Sequence, residues 1–139
     1  MSDAPTIDPA ALLAEAHAAR EQSYAPYSRF RVGAALLCRD GSVVRGCNVE
    51  NVSYGLSVCA ERTAVGNAIV AGQREFVAIA VATADPSGTP PCGMCRQVLY
   101  EFAPELVVVL ATPTGWEQVR VRELLPKGFG PGDLAPGQE

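Results

Sequence analysis

Three cysteines and one glutamate supply most of the chemistry this sequence can offer. Cys59 and Glu61 stand in "SVCAERTAVGNA" (57–68), and Cys92 and Cys95 form a Cys-x-x-Cys in "PPCGMCRQVLYEF" (90–102). Alone, a Cys-x-x-Cys is a redox pair, half of a structural zinc site or a coincidence. Here each cysteine motif falls at the start of a helical pattern. A thiol there faces the positive end of the helix dipole and unpaired backbone N–H groups, which favour the thiolate. Three thiolates from two helix starts would hold Zn²⁺ with one tetrahedral position left open, as catalytic zinc sites do. Three thiolates and Zn²⁺ sum to −1, so an offset is needed. Arg62, three residues after Cys59, is the candidate for it, helped by the helix N-termini. Glu61 adds a geometric condition. Helix positions two apart diverge by about 200°, so Cys59 and Glu61 serve one centre only if it lies beyond the helix's N-terminal end.

The other candidate ligands drop out. Cys38 and Cys47 lie in apolar, strand-like stretches without a partner at ligand spacing, and read as core residues. His17, the single histidine, sits in a helical pattern far from any other ligand. Five cysteines are an odd number and a poor disulfide framework for a reducing compartment. The N-terminus, "MSDAPTIDPAALLAEAHAAR", has neither a positive n-region nor an uninterrupted apolar core, and no apolar run approaches the roughly 18 residues that span a membrane. A cytoplasmic location with no membrane contact is the expectation. The net charge of −4 and the absence of a basic tract argue against a nucleic-acid partner.

The elements that must position these residues follow from periodicity. "TIDPAALLAEAHAAR" opens a helix with Asp8 as N-cap and Pro9 at the first position. "FRVGAALLC" and "SVVRGCNVE" read as strands joined at Asp40-Gly41, a hairpin signal. Residues 59–71 and 92–103 read as helices, 76–83 and 106–112 as buried strands, and "QVRVR" as a short edge strand. The Gly- and Pro-rich closing stretch reads as mostly irregular. The order predicts an α/β fold, a three-layer α/β/α sandwich on a mixed, mostly five-stranded sheet. The 139 residues fit one domain (1–139), with 1–7 and 135–139 as candidate flexible tails.

With these motifs in place, "CNVENVSYGLSVCAERTA" followed by "PPCGMCRQVLYEF" resembles cytidine deaminase, in the small, homotetrameric, three-cysteine branch of the zinc nucleoside deaminases. The resemblance runs from about Tyr24, through "APYSRFRVGAAL", to "ELLPKGFGPGDL". It implies that Cys59, Cys92 and Cys95 bind one Zn²⁺ per subunit, with water or hydroxide in the fourth position. It further implies hydrolysis of cytidine and 2′-deoxycytidine to uridine and 2′-deoxyuridine with release of ammonia, in pyrimidine salvage. In that chemistry zinc-bound hydroxide attacks C4, and Glu61 shuttles protons to N3 and the leaving amino group. The same resemblance gives Asn48 and Glu50 to the ribose, Phe30 to the pyrimidine ring and the backbone of Ala60 to the amide edge. It puts Tyr54 near a subunit boundary and sends Phe129 into a neighbour's active site, so that self-association as a homotetramer completes the pocket.

Other readings remain open at this level. A relative on the same fold acting on a different aminopyrimidine or an aminopurine is the nearest, and a polynucleotide-editing enzyme is disfavoured by charge. A non-catalytic zinc module, with Cys47 or Cys38 closing a four-cysteine site, and a thiol–disulfide role for Cys92 and Cys95 are the remaining two.

Overall fold

The computed structural model describes residues 4–134, so the outer parts of both candidate tails, 1–3 and 135–139, lie outside the described residues. In chain order the elements are α1 (Pro9–Arg20), β1 (Gly33–Cys38), β2 (Val43–Cys47), α2 (Ala60–Val70), β3 (Phe76–Ala82), α3 (Gly93–Phe102), β4 (Val107–Thr112), β5 (Gly115–Arg120) and α4 (Val121–Leu124). Short 3₁₀ turns occupy Tyr54–Leu56 and Pro131–Leu134. Local chemistry sets several boundaries. The Asp8 carboxylate accepts from the Ala11 N–H at 3.1 Å ahead of Pro9, capping α1. Between β1 and β2 the Asp40 carboxylate accepts from the Ser42 N–H at 2.9 Å, and Gly41 takes φ 93°.

The sheet is mixed, in the order β2-β1-β3-β4-β5. β1 runs antiparallel to β2 and to β3, β4 is parallel to β3, and β5 closes antiparallel to β4. β2 and β3 therefore point the same way, and each feeds a crossover helix to a strand on the same side: α2 from β2 to β3, α3 from β3 to β4. Crossovers of one hand that progress in one direction put their helices on one face. The packing agrees. Ala60, Ala64, Val65 and Ala68 of α2 and Leu99 of α3 share a cluster with Leu36, Ile79, Val81 and Val108. Leu12, Leu13 and Ala16 of α1 cover the opposite face with Ala35, Leu37, Ala80 and Val109, and Ile7 packs on this cluster. β1 is buried along its whole length because both faces are covered, which is why "GAALLC" reads as a continuous apolar run.

Two details depart from the sequence expectation. "QVRVR" does not continue as a strand: β5 begins at Gly115 and ends at Arg120, and Val121 opens α4. The alternating pattern concealed a helix start in which the Glu123 carboxylate accepts from the Arg120 N–H at 2.9 Å while Val121 is fully buried. Likewise β2 stops at Cys47, and Asn48–Glu50 continues outside the sheet, with Val49 bridging Tyr24 on one side and Val58 on the other.

α2 lies so close to β2 that the strand accepts no side chain at the crossing. A Cβ on Gly46 would fall 2.4 Å from the Ala64 N and 2.5 Å from the Ala60 O, both backbone atoms. This contact fixes the first turn of α2 against the strand, because neither partner can turn aside. Gly46→Ala is expected to cost about 1–3 kcal/mol or more, which lowers the melting temperature by roughly 4 °C per kcal/mol. Gly66, in the exposed interior of α2 with nothing near its Cβ direction, is the control. Gly66→Ala should raise stability by about 0.5–1 kcal/mol. Thermal unfolding of both variants checks the pair.

Candidate active site

Because β2 and β3 are parallel, α2 and α3 both start at the sheet edge where these strands end. Cys59 is the N-cap of α2 and Cys92 the N-cap of α3, and Cys95 lies in the first turn of α3. Cys59 makes no capping hydrogen bond to α2, while Cys92 Sγ lies 3.3 Å from Cys95 Sγ in the first turn of α3. The Sγ atoms of Cys59 and Cys92 are 3.7 Å apart, those of Cys92 and Cys95 3.3 Å, and all three lie within 4.8 Å of one another. Thiolates about 2.3 Å from a tetrahedral zinc stand about 3.8 Å apart, so this donor set and its spacing fit Zn²⁺. Among the described residues no fourth cysteine, histidine or carboxylate joins the cluster. Cys38 is buried in the core and Cys47 half-buried, so the closed four-cysteine arrangement does not form. His17 is exposed on α1, in the layer across the sheet.

The sulfurs do not share one electrostatic setting. Burial pushes the Cys95 thiol far above the ordinary thiol range, with the Glu61 charge adding to the effect, and burial also raises Cys59. Cys92 stays below its ordinary value although burial opposes it, because the Cys95 backbone N–H and the neighbouring thiols favour its thiolate. Glu61 is 4% exposed, and burial raises its carboxyl above the usual range, opposed only by its own backbone N–H. It forms no ion pair among the described residues. Arg62 is half-buried, and its guanidinium makes no hydrogen bond or ion pair among the described residues.

Of these groups, Cys59, Glu61 and Cys92 line a cavity of about 260 Å³. Its apolar walls include Phe30, Val32, Val81 and Pro90, its floor Cys59, Ala60, Glu61 and Cys92, and its mouth Asn48, Glu50 and Thr89. Phe30 thus lies over the pocket rather than in the core, at 45% exposure. Tyr54 lines a second chamber, with Tyr27, Ser28, Glu50 and Ser57, that meets the first at Glu50 and Ser57. The two tyrosine rings pack edge to face at 6.1 Å. Phe129 is exposed and lines neither chamber.

Asn48 and Glu50 are already heavily engaged. Asn48 Oδ1 accepts from the Val32 N–H (2.9 Å) and from the Ser23 hydroxyl, and its Nδ2 donates to the Phe30 carbonyl (2.8 Å). One amide hydrogen remains. Glu50 accepts from the Tyr27 N–H (3.0 Å), the Ser28 N–H (3.1 Å) and the Ser28 hydroxyl, which leaves acceptor capacity on Oε2. The Ser28 Oγ also accepts from the Phe30 N–H at 3.0 Å. This network secures a tight turn in which Arg29 takes φ 61° and donates its N–H to the Ala25 carbonyl at 3.0 Å. A non-glycine residue held in the left-handed region costs roughly 1–2 kcal/mol, which the Glu50 carboxylate helps offset. The sequence reading missed Ser23 and Ser28. The signal for Ser28 was the Ser-x-Phe spacing of a hydroxyl turn, bonding two residues ahead.

The family model for the cytidine and deoxycytidylate deaminase zinc-binding region matches residues 8–111. A cytidine deaminase of Halalkalibacterium halodurans is 51% identical over 130 residues, covering 92% of this chain and 98% of its own. The crystal structure of cytidine deaminase from Burkholderia pseudomallei is similar with a TM-score of 0.84 and 50% identity, covering 88% of this chain and 100% of that one. The cytidine deaminase structure from Mycobacterium tuberculosis follows with a TM-score of 0.82 and 44% identity, covering 90% and 99%.

The Glu50 carboxyl lies below its ordinary value, chiefly through the Ser28 hydroxyl; burial is the next cause and opposes it, and the Ser28 and Tyr27 backbone N–H groups lower it further. A folded-state value below the unfolded one gives stability that is present above the unfolded value and lost as pH falls through the folded one. Ser28→Ala removes the largest cause and lets the folded value rise. Acid unfolding of Ser28→Ala, followed by circular dichroism, should have its midpoint at higher pH than the wild type.

Proposed function

Starting from a chain that belongs to the zinc-binding cytidine and deoxycytidylate deaminase family and acts as a hydrolytic deaminase of cytidine, we propose how its own residues carry the reaction. The observation that carries the reading is the buried Glu61 carboxylate, which lines the same cavity floor as Cys59 and Cys92. Zinc held by Cys59, Cys92 and Cys95 supplies the Lewis acidity that makes a water acidic near neutral pH.

The pyrimidine enters between Phe30, Val32, Val81 and Pro90 with its 4-amino edge towards the sulfurs, and the Ala60 backbone receives the amide edge. Glu61 takes a proton from the attacking water and delivers it to N3 as the oxygen adds at C4. The same carboxylate then takes the proton of the new C4 hydroxyl and hands it to the amino group. The C4–N bond breaks, and water plus cytidine has become uridine plus ammonia. One carboxylate suffices because burial raises its proton affinity and the assembled pocket, closed by a neighbouring subunit, keeps bulk water out. Arg62, half-buried in the first turn of α2, together with the two helix N-termini, offsets the −1 charge of the loaded centre.

The remaining Asn48 hydrogen and the Glu50 acceptor take the ribose hydroxyls. Neither chamber is lined by lysine or arginine, and Glu50 contributes a negative charge at the mouth. That setting favours a free nucleoside, cytidine or 2′-deoxycytidine, over its 5′-phosphate. Self-association as a homotetramer completes the pocket. Val52, Tyr54 and Leu56 are all at least 67% exposed beside the second chamber, and Phe129 is exposed on a segment that does not reach its own pocket. Apolar side chains gathered in this way mark an interaction surface. The reaction belongs to cytoplasmic pyrimidine salvage. Among the described residues no helix is long and apolar enough to cross a membrane.

The test follows the cytidine absorbance band in the wild type and in Glu61→Gln at equal zinc content. The wild type should convert cytidine, the variant should be slower by about 10²–10⁴-fold or more, and cytidine 5′-monophosphate should be a poor substrate. Equal turnover by the two proteins would remove Glu61 from the chemistry.

A further inference from the structure

The face of α3 beside the cysteine motif grips the C-terminal segment at three places. Arg96 Nε donates to the Pro91 carbonyl at 2.8 Å, and its Nη1 donates to the Leu124 carbonyl at 2.9 Å. Gln97 Nε2 donates to the Phe129 carbonyl at 2.7 Å. Tyr100, one turn beyond Arg96, lays its ring against the glycines that flank Phe129. A Cβ on Gly128 would fall 2.9 Å from Tyr100 Cζ, and one on Gly130 would fall 3.0 Å from Cε1. The two glycines let the backbone rest on the ring, and the Phe129 side chain remains 56% exposed.

A segment rich in Gly and Pro has few side chains with which to hold itself in place, so these donors define its path. Arg96 adds a second connection. Pro91 directly precedes the ligand Cys92, and Leu124 closes α4, so a single guanidinium ties the metal-ligand loop to the tail. A planar fork holds its Nε and Nη1 donors at a fixed separation and can bond main-chain carbonyls on two segments at once, whereas a lysine ammonium concentrates its donors on one atom.

We propose that Arg96 and Gln97 are positioning residues that hang segment 124–130 from the ligand-bearing helix and so set the place from which Phe129 completes a neighbouring pocket. The proposal rests on the reading of Phe129 as a residue donated to a second copy. Neither side chain touches substrate. Gln97 acts through Phe129, and Arg96 acts through both the tail and the carbonyl ahead of Cys92.

The experiment uses zinc-loaded protein and a cycle of Gln97→Ala, Phe129→Ala and the double variant, with KM and kcat for cytidine measured separately. Gln97→Ala should raise KM about two- to ten-fold, the change one neutral hydrogen bond is worth, with kcat and zinc content held. Added to Phe129→Ala it should have no further effect. Arg96→Lys should release zinc to a chelator faster than the wild type, read without turnover. If Phe129→Ala raises KM and Gln97→Ala does not, the latch is overturned while the reading of Phe129 stands. If Phe129→Ala leaves KM unchanged, that reading falls and the latch falls with it. Should Arg96→Lys fail to fold, the Gln97 cycle still decides, and wild-type zinc release from a folded Arg96→Lys overturns the part assigned to Arg96.

Discussion

The structure depends on two helix N-termini meeting at one edge of the sheet. Parallel β2 and β3, each followed by a crossover helix on the same face, leave no other place for α2 and α3 to begin. At that edge the unpaired backbone N–H groups and two helix dipoles create a positive field without a lysine or a histidine. Three sulfurs can approach within 4.8 Å there as thiolates about a cation, which they could not do in an apolar core. The contact at Gly46 transmits the same constraint inwards. Because backbone meets backbone, the first turn of α2 cannot shift, and the position of Cys59 relative to α3 is inherited from the sheet.

The polar side chains of the pocket divide into two kinds. Asn48 and Glu50 have spent most of their hydrogen-bonding capacity on the loop that carries Phe30, and what remains is directional: one amide hydrogen and acceptor space on one carboxylate oxygen. Their role as wall-builders fixes the geometry of anything they bind, since moving either side chain would release the strained Arg29 turn. Glu61 is the opposite case. It is buried and forms no ion pair among the described residues, and burial raises its carboxyl above the usual range.

Much of this arrangement was legible in the sequence because it is written in local patterns. Asp8-Pro9 announces the start of α1, Asp40-Gly41 the hairpin, and the continuous apolar runs at 76–83 and 106–112 the buried strands that the fold sets at Phe76–Ala82 and Val107–Thr112. The cysteines could be placed together because each sits at a helix start, and the α/β order brings those starts to one edge. What stayed hidden depends on contacts distant in sequence. Ser28 looks like an ordinary loop serine until the fold brings Glu50, 22 residues on, against it. Arg96 and Gln97 look like a solvated helix face until residues 124–130 return over them. The start of α4 was masked because "QVRVR" alternates, although its cap and the burial of Val121 select a helical turn.

The central claim is that this protein builds an open centre of three thiolates at two helix ends, not a closed structural site. X-ray absorption at the zinc edge of the purified protein tests it most directly, because it counts ligand types without reference to activity. The account predicts three sulfurs at about 2.3 Å and one lighter oxygen or nitrogen ligand at about 2.0 Å. Four sulfurs at a single distance would contradict it, since a fourth cysteine would then have closed the position that the chemistry requires.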